Sequence, residues 1–296
     1  MLKAILGLLA VITTGFSTVY ISDFKKHRDK SKNSIFKTGI LIGFITDFLD
    51  AIGVGSFATT TGILKLNKNI HIPDKILPGT LNVAHALPMI VQAFMSLNSI
   101  EVDLLTLVSM IISAVVGSWI GAGIISKLPE RKVQLTMGVA LVGTAILIVL
   151  GQVGLMPAGG EAMGLTGTKL IIGIVGNFIL GALMTAGIGL YAPCMAMVAL
   201  LGMNPKAAFP IMMGACAFVG PIASIKFVRE KAYEREISMG ITIGGVVGSV
   251  IALLFVTNMP VYWLKWLVVA VVSYTAATMF KAGLKNDEIV ELEQAS

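Results

Sequence analysis

The chain has 296 residues, 56% of them hydrophobic and 13% charged, with a mean hydropathy of +0.89. A soluble chain carries about a quarter charged residues, so a soluble globular enzyme, a disordered protein and a disulfide-stapled secreted domain are excluded. The formal charge of +6 would suggest nucleic acid in a soluble protein; here the basic residues fall between apolar runs, read as orientation signals and imply no nucleic-acid partner.

The remaining class is an all-α polytopic membrane protein, and its 32 glycines suit helices packed at short range. The first run, residues 2–21, is about a full bilayer span and lacks a small-residue cleavage site, so 1–24 reads as a membrane helix rather than a signal peptide. Six more runs can cross a ~30 Å hydrocarbon layer: 77–97, 104–125, 133–153, 207–227, 237–256 and 261–280. Cys194 and Cys216 lie inside apolar segments without metal-ligand spacing, so no disulfide, metal or other cofactor is expected.

Two segments differ from the rest. Residues 35–66 and 169–201 are each too long for one untilted span, and each is interrupted by Gly-x-Gly. Gly53, Gly55, Phe57 and Ala58 match Gly187, Gly189, Tyr191 and Ala192 at one constant offset, which marks an internal repeat. A proline-bearing helix follows each (Pro78 and Pro88, then Pro210 and Pro221), and then two plain spans. The expected organisation is a first repeat at 35–156, a glycine-rich linker at 157–168, a second repeat at 169–283 and a tail at 284–296.

Lysine and arginine decide between parallel and inverted halves. If both broken segments are re-entrant hairpins, each half crosses three times and the second half is inverted. Eighteen of the 22 basic residues then lie on one side, leaving Lys3, Lys169, Lys206 and Lys265 on the other. Full spans would move the loops around Lys68 and Arg131 across, reducing the split to 13 against 9. The inverted arrangement is favoured, with the N-terminus outside, the C-terminus cytoplasmic, and Glu101, Asp103 and the turn 257–260 outside.

An interrupted helix leaves backbone donors at membrane depth, tolerated only where protein or cavity water satisfies them. Beyond each Gly-x-Gly a new helix starts with a positive end, and two such ends facing one cavity form an anion site. Expected substrate contacts are Gly53, Gly55, Ser56, Thr59 and Thr60 at the first tip, Gly187, Gly189 and Tyr191 at the second, and Asn82 and His85 at the wall. Hydroxyls bonding back to their own helix are the ordinary alternative for the threonines, and an interhelical hydrogen bond is the alternative for His85.

Asp47 and Asp50 are the carboxylates deepest in an apolar run and share one helix face. They read as proton or Na⁺ coupling residues, with bracing of the tip as the alternative; the second half has Gly181 and Met184 at that offset. Gln92, Gln134 and Asn177 read as contacts between helices.

The stretches DFLDAIGVGSFATTTGILKL, IPDKILPGTLNVAHALP, VGSWIGAGIISKLP and LGALMTAGIGLYAPCMAMVALLGMNPKAAFPIMMGACAF resemble the TauE/SafE sulfite exporter family, also called the toluene sulfonate uptake permeases. The resemblance covers nearly the whole chain after the first helix. It implies a transporter of sulfite, sulfonates or related organosulfur anions in a bacterial plasma membrane, in contact with lipid, and is compatible with a homodimer. A secondary anion transporter, an anion channel of the same fold and a membrane-embedded enzyme are the three classes weighed. No metalloprotease, nucleophile-elbow or phosphate-loop motif supports the last, so the chain is expected not to be an enzyme.

Overall fold

A computed structural model describes residues 2–52, 54–67, 69–96, 102–156, 159–187, 189–204, 207–255 and 262–295. Gly53, Lys68, Glu101, Lys206 and the turn 257–260 lie outside the described residues, as do the side chains of Tyr191 and Lys265. Among the described residues the chain is helical, without strands.

Helix α1 (Leu2–His27) overruns its expected end and stops where Lys25, Lys26 and His27 complement the negative end of its dipole. The first broken segment becomes α2 (Asn33–Ala51) and α3 (Ser56–Leu66). Gly55 caps α3 with φ +86°, a left-handed conformation that glycine adopts without steric penalty. The second becomes α7 (Gly167–Met184) and α8 (Tyr191–Leu200), and here the left-handed glycine is Gly187, φ +95°, not the equivalent Gly189. The two tips therefore share a sequence pattern but not a backbone path.

The other helices are α4 (Leu77–Ser96), α5 (Leu104–Ile125), α6 (Glu130–Gln152), α9 (Ala208–Arg229), α10 (Arg235–Phe255) and α11 (Tyr262–Ala295), with Pro88 and Pro221 inside α4 and α9. Among the described residues seven helices are long and apolar enough to cross a membrane, but they are not quite the expected seven. Gly167–Met184 qualifies, whereas the described apolar part of α11 is the shorter Val268–Leu284. Helix α11 also continues through the expected tail. Asp103 caps α5 by accepting hydrogen bonds from the Thr106 N–H at 2.9 Å and hydroxyl at 2.8 Å, which hold its carboxyl below the usual carboxylate range.

Small residues set the helix pairs. On α2, Gly39 and Gly43 face Gly240, Gly244 and Gly248 of α10 so closely that a Cβ at Gly43 would lie 2.6 Å from the Ile241 Cα. Gly181 of α7 meets the Ala114 backbone of α5, and the Asn177 amide donates to the Met110 carbonyl at 2.7 Å. Both pairs run parallel: Phe36 faces Gly240 and Phe44 faces Gly248, while Met110 meets Asn177 and Gly121 meets Ala182. In contrast α4 and α9 run antiparallel, with Gly79 beside Phe227 and Gly220 beside Ala86, as do α6 and α11, with Gly138 beside Phe280 and Gln152 bonded to the Tyr262 carbonyl. Exchanging α2–α6 for α7–α11 carries the α2–α10 contact onto α7–α5 and leaves α4–α9 and α6–α11 in place.

Each broken segment starts and finishes at one end of the bundle. Lys32, just before α2, bonds Glu234, whose N–H donates to the Thr80 hydroxyl near the start of α4. Lys65, at the end of α3, pairs with Asp74 just ahead of α4. Asp74 also accepts from the Gln134 amide at 2.8 Å, and its N–H donates to Glu130, so the starts of α4 and α6 join the same polar cluster. At the opposite end, the linker residue Leu165 bonds Thr106, while the Asn204 N–H, beyond α8, donates to the Ala162 carbonyl at 2.8 Å.

Candidate functional site

The cavity between the two tips has a volume of about 240 Å³. The first tip contributes Val54, Gly55, Phe57 and Ala58, and the second Gly189 and Met195; α6 closes the side with Thr144, Ile148 and Gln152. Nothing lies within 4 Å of a Cβ built on Gly189 or Gly55, so both glycines leave space that a side chain would occupy. Gly187 instead makes the turn, with Met137 and Leu81 at 3.0 and 3.4 Å from a built Cβ.

The polar residues around the first tip lie behind it rather than along the cavity. The Ser56 N–H, first of the free donors of α3, donates to Asp50 at 2.8 Å, so a carboxylate caps the positive helix end. The Thr59 hydroxyl donates to the carbonyls of Gly55 and Ser56 at 2.8 and 2.9 Å, and Thr61 donates to Phe57 at 2.8 Å. These are back-bonds to the parent helix.

Thr60 points the other way. Its hydroxyl lies 3.0 Å from His85 Nε2, and His85 Nδ1 lies 2.9 Å from both carboxylate oxygens of Asp47. All three side chains are fully buried. Phe57 stands between this chain of bonds and the cavity: its ring borders the space on one side and sits 5.5 Å, centroid to centroid, from the His85 ring on the other.

Asn82 also serves the frame. Its amide donates to the Pro78 carbonyl at 2.8 Å and lies 3.4 and 3.3 Å from the carbonyls of Met184 and Thr185, at the open C-terminal end of α7. Gln92 bonds Ser249 at 3.0 Å, tying α4 to α10. Cys194 and Cys216 are buried thiols, and the described residues hold no cluster suited to a metal ion.

Of the residues expected at the substrate, Gly55 and Gly189 border the cavity. Ser56, Thr59, Thr60, Asn82 and His85 brace the elements that shape it. Gly53 and the Tyr191 side chain are outside the described residues. Sequence reasoning missed Phe57, Thr144 and Gln152. A signal was present: Thr144 and Gln152 stand about two turns apart in the otherwise apolar stretch 137–152 of α6.

A polytopic helical membrane protein whose broken helices meet at a shared cavity has the build of a transporter. The family model "Sulfite exporter TauE/SafE" matches residues 1–148 and 169–294, and the chain belongs to this family. It is thus a multi-pass membrane protein of a transporter family, not of an enzyme family. No curated protein and no solved structure gives a significant match.

Proposed function

We propose that the protein is a secondary transporter that moves a small anion, of the sulfite or sulfonate type, across the plasma membrane by alternating access, coupled to a proton or another cation. The observation that carries this reading is that Gly55 and Gly189, one from each broken segment, border the same cavity. The exchange pattern of helix contacts, with α4 antiparallel to α9 and α6 to α11, supports an inverted repeat. The shared ends of each broken segment support re-entrant hairpins.

In this arrangement the cavity reaches toward Gln152 at the far end of α6, while the Lys65–Asp74–Gln134 cluster closes the opposite end. The basic ends mark the cytoplasmic side, so the cavity faces outward. Single cysteines at Lys75 and Arg131, in a background lacking Cys194 and Cys216, are expected to react with an impermeant reagent only from the cytoplasmic side. Reaction from outside at either position would refute the orientation.

Counterflow tests the transport cycle. Proteoliposomes loaded with unlabelled sulfite or taurine are expected to take up the labelled anion severalfold faster than empty ones. Flux without such acceleration would assign the cavity to a channel.

A further inference from the structure

We propose that Asp47 and His85 form a proton-binding site outside the cavity, and that the charge on this pair is passed to the anion through α3. The inference rests on the transporter reading and names its coupling ion and carrier.

A sodium site needs a shell of several oxygen ligands; Ser56 Oγ and Asn82 Oδ1 are buried without a partner, but both carboxylates are already engaged. Both oxygens of Asp47 face His85 Nδ1 at 2.9 Å, and Asp50 accepts the Ser56 N–H at 2.8 Å. A proton needs only the nitrogen at the other end of the ring. With the imidazole neutral, Nδ1–H donates to the Asp47 carboxylate, the Thr60 hydroxyl donates to Nε2, and the pair carries one negative charge. When a proton binds Nε2, the imidazolium donates to Thr60, and the Thr60 hydroxyl proton turns to the Ser56 carbonyl one turn back, as Thr59 and Thr61 already do on this helix. The pair is then neutral overall.

Both consequences fall on α3. Phe57 and Ala58 of its first turn line the cavity, and Thr60, one turn on from Phe57, meets His85. Removing a negative charge one ring away from the cavity favours an anion there, and by linkage a bound anion favours the proton. The predicted sense is co-binding of proton and anion.

The other groups around the pair are few. Helix α2 adds Asp50; α9 brings Cys216 into the field of Asp50; α4 adds the uncharged Gln92; α10 offers Gly245 and Ser249; and α3 has no ionisable side chain at this level. The second half has Gly181 at the position of Asp47, packed on the α5 backbone, so the carboxylate has no counterpart at that position.

The test uses the full chain with ¹⁵N-labelled histidine in nanodiscs. The chain has three histidines, His27, His71 and His85, and His85→Gln identifies the buried one. Its ring signals are expected to change with pH, and Asp47→Asn is expected to displace the midpoint by about one pH unit or more, a tenfold change in proton affinity. Thr60→Val keeps the Asp47 contact and reports on the Nε2 side if Asp47→Asn fails to fold. Saturating methanesulfonate, with binding confirmed by calorimetry, is expected to raise the parent midpoint.

An imidazole that keeps one protonation state between about pH 5 and 9, or a midpoint unmoved by Asp47→Asn, overturns the proton site. Bound methanesulfonate that leaves the midpoint in place overturns the link through α3. Failure of both sulfite and methanesulfonate to bind would count against the transporter reading, while the titration still decides the proton site.

Discussion

Gly43→Val and Gly244→Val are each expected to keep the chain from reaching a stable, monodisperse fold. A Cβ at Gly43 meets the Ile241 carbonyl and lies 2.6 Å from its Cα; at Gly244 it meets the Ile40 carbonyl and lies 2.9 Å from the Phe44 nitrogen. The obstacles are backbone atoms on a parallel helix, so no rotamer change relieves them. Overpacking usually costs about 1–3 kcal/mol, and a clash of backbone with backbone along a whole helix pair belongs at or above the top of that range. Separation of α2 from α10 would also free Asp47, whose carboxylate touches Gly245. Size-exclusion profiles and thermal melting in detergent check this. The control is Gly15→Ala on α1, where nothing lies within 4 Å: alanine there is expected to be neutral or to stabilise by up to ~1 kcal/mol through helix propensity. A Gly43→Val protein that melts with the parent would show that the two helices do not pack this tightly.

These glycines illustrate what was legible in the chain. Hydropathy located the helices because a bilayer core imposes a length on each apolar run, and the Gly-x-Gly pairs located the two breaks because a broken helix needs unusual backbone torsions. Side-chain direction was not legible. Thr59, Thr60 and Thr61 are consecutive, and only the rotation of α3 decides that Thr60 alone meets His85, 25 residues later. Asp47 and Asp50 share a face by spacing, yet one meets a histidine on another helix and the other caps the helix that follows, because the chain reverses at the tip between them and α3. Likewise, Gly187 and Gly189 are interchangeable as letters; which one takes the positive φ depends on how α8 docks.

Gly189→Val is expected to weaken anion binding tenfold or more while leaving the fold intact. The built Cβ meets nothing within 4 Å and Gly189 is not among the glycines with positive φ, so a Cβ there brings neither left-handed strain nor a clash. Its methyl groups enter the cavity beside the tip, where the anion must approach backbone donors closely. Gly55→Val is the less informative partner: at φ +86° a β-branched residue adds about 1–2 kcal/mol of left-handed strain, so lost binding and lost stability would be mixed. Thr144→Val on α6 is the near-neutral comparison, because the Thr144 hydroxyl already donates to the Ala140 carbonyl of its own helix at 3.0 Å. Calorimetric titration with sulfite, taurine and methanesulfonate, paired with melting temperatures, separates the two effects. A Gly189→Val protein that melts with the parent and binds the same anion equally well would place the substrate away from the two tips.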